Sequence, residues 1–143
     1  MSAFRLHAVS PVLAESFRRA PITTRRKAAL FACEVAVSSV GLRDSEVLVA
    51  LEALRSDAPL SPTVRGQLGR LAKSFDDEYL KLAEEGETRK PGTLKLFSKA
   101  RAASALMFAS SDDATQLHEA IYEAIESLDD PSELVRLMEN ILR

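Results

Sequence analysis

Apolar residues return every three or four positions along most of this chain, which is the spacing of an amphipathic α-helix. Val64, Leu68, Leu71 and Phe75, for example, follow one another at these steps. Short turn-like segments interrupt the pattern, so we expect six or seven helices in a compact, mostly antiparallel bundle that forms a single domain over residues 1–143. The predicted helices cover about 11–20, 25–40, 45–55, 61–85, 93–110, 113–128 and the residues from 131 onward.

Capping residues support several of these helix starts. Ser10, Ser61 and Asp130 each stand directly before a proline. A short polar side chain accepts hydrogen bonds from the free amides of a helix start, and proline suits the first helical position. Gly41 is expected to end the second helix, and the segment 86–92 is predicted to be a flexible loop because it combines two glycines with a proline.

The second predicted helix is apolar around most of its circumference, which is typical of a helix at the centre of its domain. Leu30, Cys33, Val37 and Val40 form one stripe of this surface. Cys33 lies on that stripe, so we expect a buried and unreactive thiol. Glu34 stands out as a charge in an apolar helix, and we expect it at the edge of the buried surface.

Composition makes the all-α fold class the prediction. The chain holds 21 Ala and 20 Leu but only 13 Val and Ile together, and alanine and leucine favour helices over strands. A single cysteine excludes an internal disulfide, and the two histidines lack the spacing of a zinc site. No apolar run reaches the ~20 residues that span a bilayer. We therefore expect a cytoplasmic protein with no membrane segment, no metal and no cofactor.

Charge is distributed unevenly along the chain. The net charge is −2 over all 143 residues, but residues 1–30 carry +5 and residues 111–143 carry −7. A basic head and an acidic tail point to electrostatic recognition, either of a partner or of one another.

The densest basic region lies around the predicted start of the second helix, and we call it the basic cluster. Cations in the first turn of a helix oppose its dipole, which suggests that an anion from elsewhere neutralises them. That anion could be the acidic tail of the same chain, a partner protein, or a phosphate group bound at the free helix amides. The predicted partner- or anion-binding residues are Arg18, Arg19, Thr24, Arg25, Arg26 and Lys27.

The acidic tail places Glu119, Glu123 and Glu126 on one side of a predicted helix, and we call these three residues the acidic face. The face is either solvated or a docking surface for a basic partner. His118 and Glu119 begin a near match to the metalloprotease signature His-Glu-x-x-His, but Tyr122 occupies the place of the second histidine. We therefore predict no zinc there.

Phosphate-binding, dinucleotide-binding and nucleophile motifs are absent from the sequence, so it predicts no catalytic residues and favours a non-enzymatic role. The leading hypothesis is a helical protein–protein interaction module that acts through its charged surface as an adaptor, a regulator or a toxin-neutralising protein of the immunity type. The alternative is nucleic-acid or phosphate-ligand binding at the basic start of the second helix. An enzymatic role stays open as a third, less favoured interpretation.

Overall fold

The computed structural model describes residues 5–143. The fold class is all-helical, as predicted, and the described residues contain no strand. Their eight α-helices exceed the six or seven expected, because the four-residue α1 is too short to leave a periodic signal. The helices are α1 (Leu6–Val9), α2 (Pro11–Arg19), α3 (Ile22–Val40), α4 (Ser45–Arg55), α5 (Pro62–Glu84), α6 (Pro91–Ala109), α7 (Leu117–Glu126) and α8 (Ser132–Leu142).

Two of the predicted serine caps are present. The Ser10 hydroxyl accepts a hydrogen bond from the Leu13 amide at 3.1 Å, and the Ser61 hydroxyl accepts one from the Val64 amide at 3.2 Å. Each serine is followed by a proline at the start of its helix. These local interactions explain why the starts of α2 and α5 could be predicted to the residue.

The helix α3 packs against α4, α6, α7 and α8. Seven of its residues are buried, among them Ala32, Cys33 and Ala36, none of which has any exposed surface. Burial raises the pKa of the Cys33 thiol to about 12, which supports the expectation of an unreactive thiol. Gly41 ends the helix in a left-handed conformation with φ of 73°, which a residue without a Cβ adopts at little cost.

The predicted start of α3 is wrong by three residues. The helix begins at Ile22, directly after Pro21, whose extended backbone (φ −66°, ψ 159°) supplies the boundary. Thr23 and Thr24, which are residue types that favour the capping position, therefore lie inside the first turn of the helix. This shift moves Arg25 beyond the first turn of the helix, where its amide already donates to the Pro21 carbonyl at 3.0 Å.

The longest helix, α5, packs along α6, and the two glycines in α5 differ in what they face. A Cβ at Gly69 would lie 3.3 Å from the Met107 sulfur of α6, so this glycine permits close approach of the two helices. A Cβ at Gly66 would meet only the Arg70 side chain of its own helix. The loop predicted at 86–92 is shorter than expected, because α6 already begins at Pro91.

The connection from α6 to α7 contains a short 3₁₀ turn at Ala114–Gln116, directly before α7 begins. Thus the helix expected at about 113–128 is in fact this turn followed by α7. None of the described helices combines the length and the apolar character needed to cross a membrane.

Candidate interaction surfaces

Arg25, the middle of the basic cluster, binds the carboxyl end of α2. Its Nε donates to the Phe17 carbonyl at 2.8 Å, and its Nη2 donates to the Arg18 carbonyl at 2.7 Å. Its guanidinium also lies over the Phe17 ring, 4.8 Å from the ring centroid. The last carbonyls of a helix lack intrahelical donors and carry partial negative charge, so Arg25 satisfies and neutralises them. The anion that we expected for Arg25 is therefore a helix end of the same chain.

Arg18 and Arg19 lie in the last turn of α2 and share the Glu15 carboxylate. The Arg18 guanidinium lies 3.8 Å from it, and Arg19 Nε donates to it at 3.0 Å. All three side chains are exposed, and exposed pairs one turn apart on a helix stabilise it only weakly. These two arginines are thus paired within their own helix.

The remaining members of the basic cluster lie on α3 and differ in how exposed they are. Thr24 is half-buried in the first turn, while Arg26 and Lys27 are exposed. Arg26 lines a cleft together with Asp57, which follows α4. The structure therefore splits the predicted cluster into an α2 group, a helix-capping arginine and two exposed cations on α3.

Two members of the acidic face belong to an ion-pair network instead of an open surface. The Arg5 guanidinium binds Glu119 and lies 3.4 Å from Glu123. Arg101 of α6 pairs with Glu123 at 3.1 Å and with Asp76 of α5 at 2.8 Å. This network ties α7 to α5, to α6 and to the residue that precedes α1.

Burial decides the role of Glu123. Its residue surface is only 4 % exposed, so Glu123 offers little surface to a partner. Burial raises the pKa of the Glu123 carboxyl, and the adjacent Arg101 and Arg5 lower it but do not cancel the rise. A carboxylate taken out of water needs such cations, because unpaired burial of a charge is costly.

The other two members of the acidic face are half-buried. Glu119 lies beside Arg5, and Glu126 lies near the Tyr122 side chain. Burial raises the Tyr122 pKa, and the nearby Glu126 carboxylate raises it further. The predicted acidic face is thus engaged largely with residues of its own chain.

A second set of carboxylates, outside the predicted acidic face, lies in the α7–α8 turn and the first turn of α8. Asp129, Asp130 and Glu133 are all exposed. No ion pair involves any of the three within residues 5–143. Asp130 accepts hydrogen bonds from the backbone amide and the hydroxyl of Ser132, which lower the pKa of its carboxyl. The run of acids around Pro131 is the sequence signal for this set.

These carboxylates border a groove that runs between α3, α8 and the start of α6. The groove consists of two adjoining clefts of about 460 and 330 Å³, and both clefts are lined by Ser39, Leu128 and Asp129. We call this feature the acidic groove. Its carboxylates are all in or next to the α7–α8 turn, whereas Lys95 lines only the cleft at the start of α6. The apolar lining residues are Val35, Val40, Leu94, Leu128, Leu134 and Leu137.

Comparison of the chain with protein-family models, curated proteins and solved structures finds no match.

Proposed function

We propose that this chain is a non-enzymatic helical interaction module that docks a basic, amphipathic segment of a partner protein in the acidic groove. An adaptor, a regulator or a toxin-neutralising protein would each use a surface of this kind. The observation that carries the proposal is the placement beside an apolar groove of three carboxylates that have no ion pair within residues 5–143, whereas the acidic residues of α7 are engaged internally.

The lining of the groove determines the chemistry of the partner segment. Leu94 keeps 48 % of its surface exposed, and Val35, Leu128 and Leu137 are only partly buried. Covering these side chains removes apolar surface from water, which favours a segment with apolar residues on one face. The same segment must carry cations opposite Asp129 and Glu133, because carboxylates without nearby cations attract them.

Lys95 gives the groove a direction. It lines only the cleft at the start of α6, whereas Asp130 and Glu133 line only the other cleft and Asp129 lines both. A segment with its cations concentrated at one end would therefore dock in one orientation. Charge of this kind acts mainly on partner choice and association rate, while contact with the apolar lining supplies most of the affinity.

The alternative of nucleic-acid or phosphate binding at the start of α3 has weaker support. Arg25 directs its guanidinium to the end of α2, and its amide is bonded inside α3. Arg26 shares its cleft with Asp57 and Asp112, whose carboxylates repel a phosphate. We therefore place the interaction at the acidic groove.

The proposal can be tested by site-specific cross-linking in extract of the native cell. A photo-cross-linker replaces Ser39 in the groove, and a second version of the protein carries it at Lys81, which is exposed on α5. We expect Ser39 to capture a basic, amphipathic peptide that Lys81 does not capture. The double variant Asp129→Lys/Glu133→Lys should lose this product.

A matched control reverses two exposed carboxylates outside the groove, as Glu84→Lys/Glu85→Lys. This control makes the same change in net charge and should retain the cross-link. An acidic captured peptide, or equal capture by both double variants, would contradict docking in the acidic groove. Absence of any product specific to Ser39 would contradict it as well.

A further inference from the structure

A separate cleft of about 280 Å³ lies on another side of α3, between that helix, the α4–α5 turn and the segment after α6. Its wall includes buried apolar residues from three different parts of the chain: Ala29 of α3, Leu60 before α5 and Leu117 of α7. A cleft of this size can hold only a small ligand. The acidic groove shares none of these lining residues.

Opposite charges face this cleft without neutralising each other. Arg26 on α3 and Asp57 after α4 both line it, and neither takes part in an ion pair within the part of the chain that the structure describes. Asp112 also lines the cleft, but its carboxylate lies 3.7 Å from the Arg65 guanidinium. Arg26 and Asp57 therefore remain as one cation and one anion available to a ligand.

The backbone holds Asp57 in place at the cleft. Asp57 has a φ of 52°, the left-handed region that non-glycine residues seldom adopt. Its amide donates to the Leu54 carbonyl at 3.2 Å, and the next amide, that of Ala58, donates to the Ala53 carbonyl at 2.8 Å. This arrangement ends α4, and glycine is the usual residue for it. An aspartate meets the same backbone requirement and also places a carboxylate at the cleft.

The opposite wall is fixed by a second arginine. Arg65 Nη2 donates to the Ser110 carbonyl at 2.9 Å, in addition to its approach to Asp112. This contact joins α5 to the segment that follows α6. Hydrogen bonds therefore fix the segments on both sides of the cleft. A site that is already ordered loses less conformational entropy when a ligand binds.

We propose that this cleft binds a free α-amino acid with a small aliphatic side chain. The ligand carboxylate would bind the Arg26 guanidinium, and its ammonium group would bind the Asp57 carboxylate. The aliphatic side chain would lie against the apolar wall formed by Ala29, Leu60 and Leu117. A simple anion would meet the repulsion of Asp57, and a simple cation that of Arg26, so a zwitterion fits this arrangement best.

Calorimetric titration of the full-length protein with L-alanine, L-valine and L-leucine tests this proposal. We expect at least one of them to bind, and we expect N-acetyl-L-valine and L-valinamide to bind about tenfold more weakly than L-valine, since each lacks one of the two charges. Arg26→Gln and Asp57→Asn should each weaken binding by about tenfold or more. Asparagine tolerates the left-handed backbone, so the second variant removes the charge without removing the turn.

Matched controls separate this site from general charge effects and from the acidic groove. Arg43→Gln and Glu78→Gln remove the same charges at exposed positions outside the cleft, and both should bind as the unchanged protein does. Asp129→Lys/Glu133→Lys should also bind normally, because the two sites are independent. Lack of binding by all three amino acids would overturn the proposal. So would binding of inorganic phosphate that Arg26→Gln abolishes and Asp57→Asn leaves unchanged.

Discussion

Two groups of carboxylates only a few residues apart illustrate how differently the fold uses the same charge. Glu119 and Glu123 on α7 are held by Arg5 and Arg101, and Glu123 is buried. The carboxylates of the α7–α8 turn are exposed and have no ion pair within residues 5–143. In the sequence both groups belong to one acidic tail, but only the second offers charge to another molecule.

The comparison teaches that the partners of a charge, and not its density along the chain, decide whether it is available. Arg101 is 22 residues from Glu123, and Arg5 is 118 residues away, so no local pattern shows these contacts. The basic cluster divides in the same way. Arg25 caps α2, whereas its neighbour Arg26 faces a cleft.

The largest expected effect is the loss of Arg101. Arg101→Ala removes the cation that contacts both Glu123 and Asp76, and it leaves a buried carboxylate short of a partner. We expect the free energy of unfolding at pH 7 to fall by about 3 kcal/mol, as measured by urea denaturation followed by circular dichroism. Lys95→Ala, an exposed change on the same helix, should alter it by less than about 0.5 kcal/mol.

Reversing the exposed carboxylates of the acidic groove should have a much smaller effect on the free energy of unfolding than the loss of Arg101. Asp129→Lys/Glu133→Lys should change the free energy of unfolding by less than about 0.5 kcal/mol, since both side chains are exposed and unpaired within the described chain. If this double variant destabilises the fold as much as Arg101→Ala does, the distinction between the two groups is wrong.

An intermediate effect is expected from Arg25. Arg25→Ala removes two hydrogen bonds to the carbonyls at the end of α2, together with the contact to the Phe17 ring. The free energy of unfolding should fall by about 1 kcal/mol. Arg26→Ala should change it by only a few tenths of a kcal/mol, because Arg26 is exposed. Equal losses in the two variants would contradict the assignment of Arg25 as the helix cap.

The smallest effect concerns His118, which lies beside the acidic network on α7. Burial lowers its pKa, and the lowering contribution of Arg5 adds to this, while Glu119 acts in the opposite direction. As the pH falls toward the ordinary histidine pKa, His118 takes up a proton in the unfolded chain before it does so in the folded protein. The free energy of unfolding therefore falls as the pH is lowered from 7 to 5. His118→Gln lacks this proton-linked loss.

Urea denaturation at both pH values, carried out on the unchanged protein and on His118→Gln, measures the difference. The unchanged protein should lose more stability between pH 7 and pH 5 than the variant does. The same loss in both proteins would show that His118 does not contribute.

Local interactions account for the parts of the fold that could be predicted. Ser10 and Ser61 cap their helices through side chains only three residues from the bonded amides, so sequence alone locates those starts. The start of α3 was misplaced because Thr23 and Thr24 are good capping residues, yet Pro21 already provides the boundary.

The candidate sites could be predicted only in part, because they combine distant segments. The acidic groove joins Ser39 of α3 to the α7–α8 turn, and the amino-acid cleft joins Arg26 to Asp57 and Asp112. Arg26 was selected from the charge pattern, but nothing local indicates that Asp57 lies across a cleft from it. Such pairings depend on helix packing, which periodicity does not determine.

The Cys33 thiol is a native probe of how often the core opens. Cys33 is the chain's single cysteine, it lies on α3 without any exposed surface, and its thiol is protonated at neutral pH. The thiol can therefore react with a thiol reagent only when the helices packed around α3 separate. The rate of its labelling therefore reports how often the centre of the protein opens under native conditions. No engineered probe is needed, and the same signal would report stabilisation by any ligand or partner that binds only the closed state.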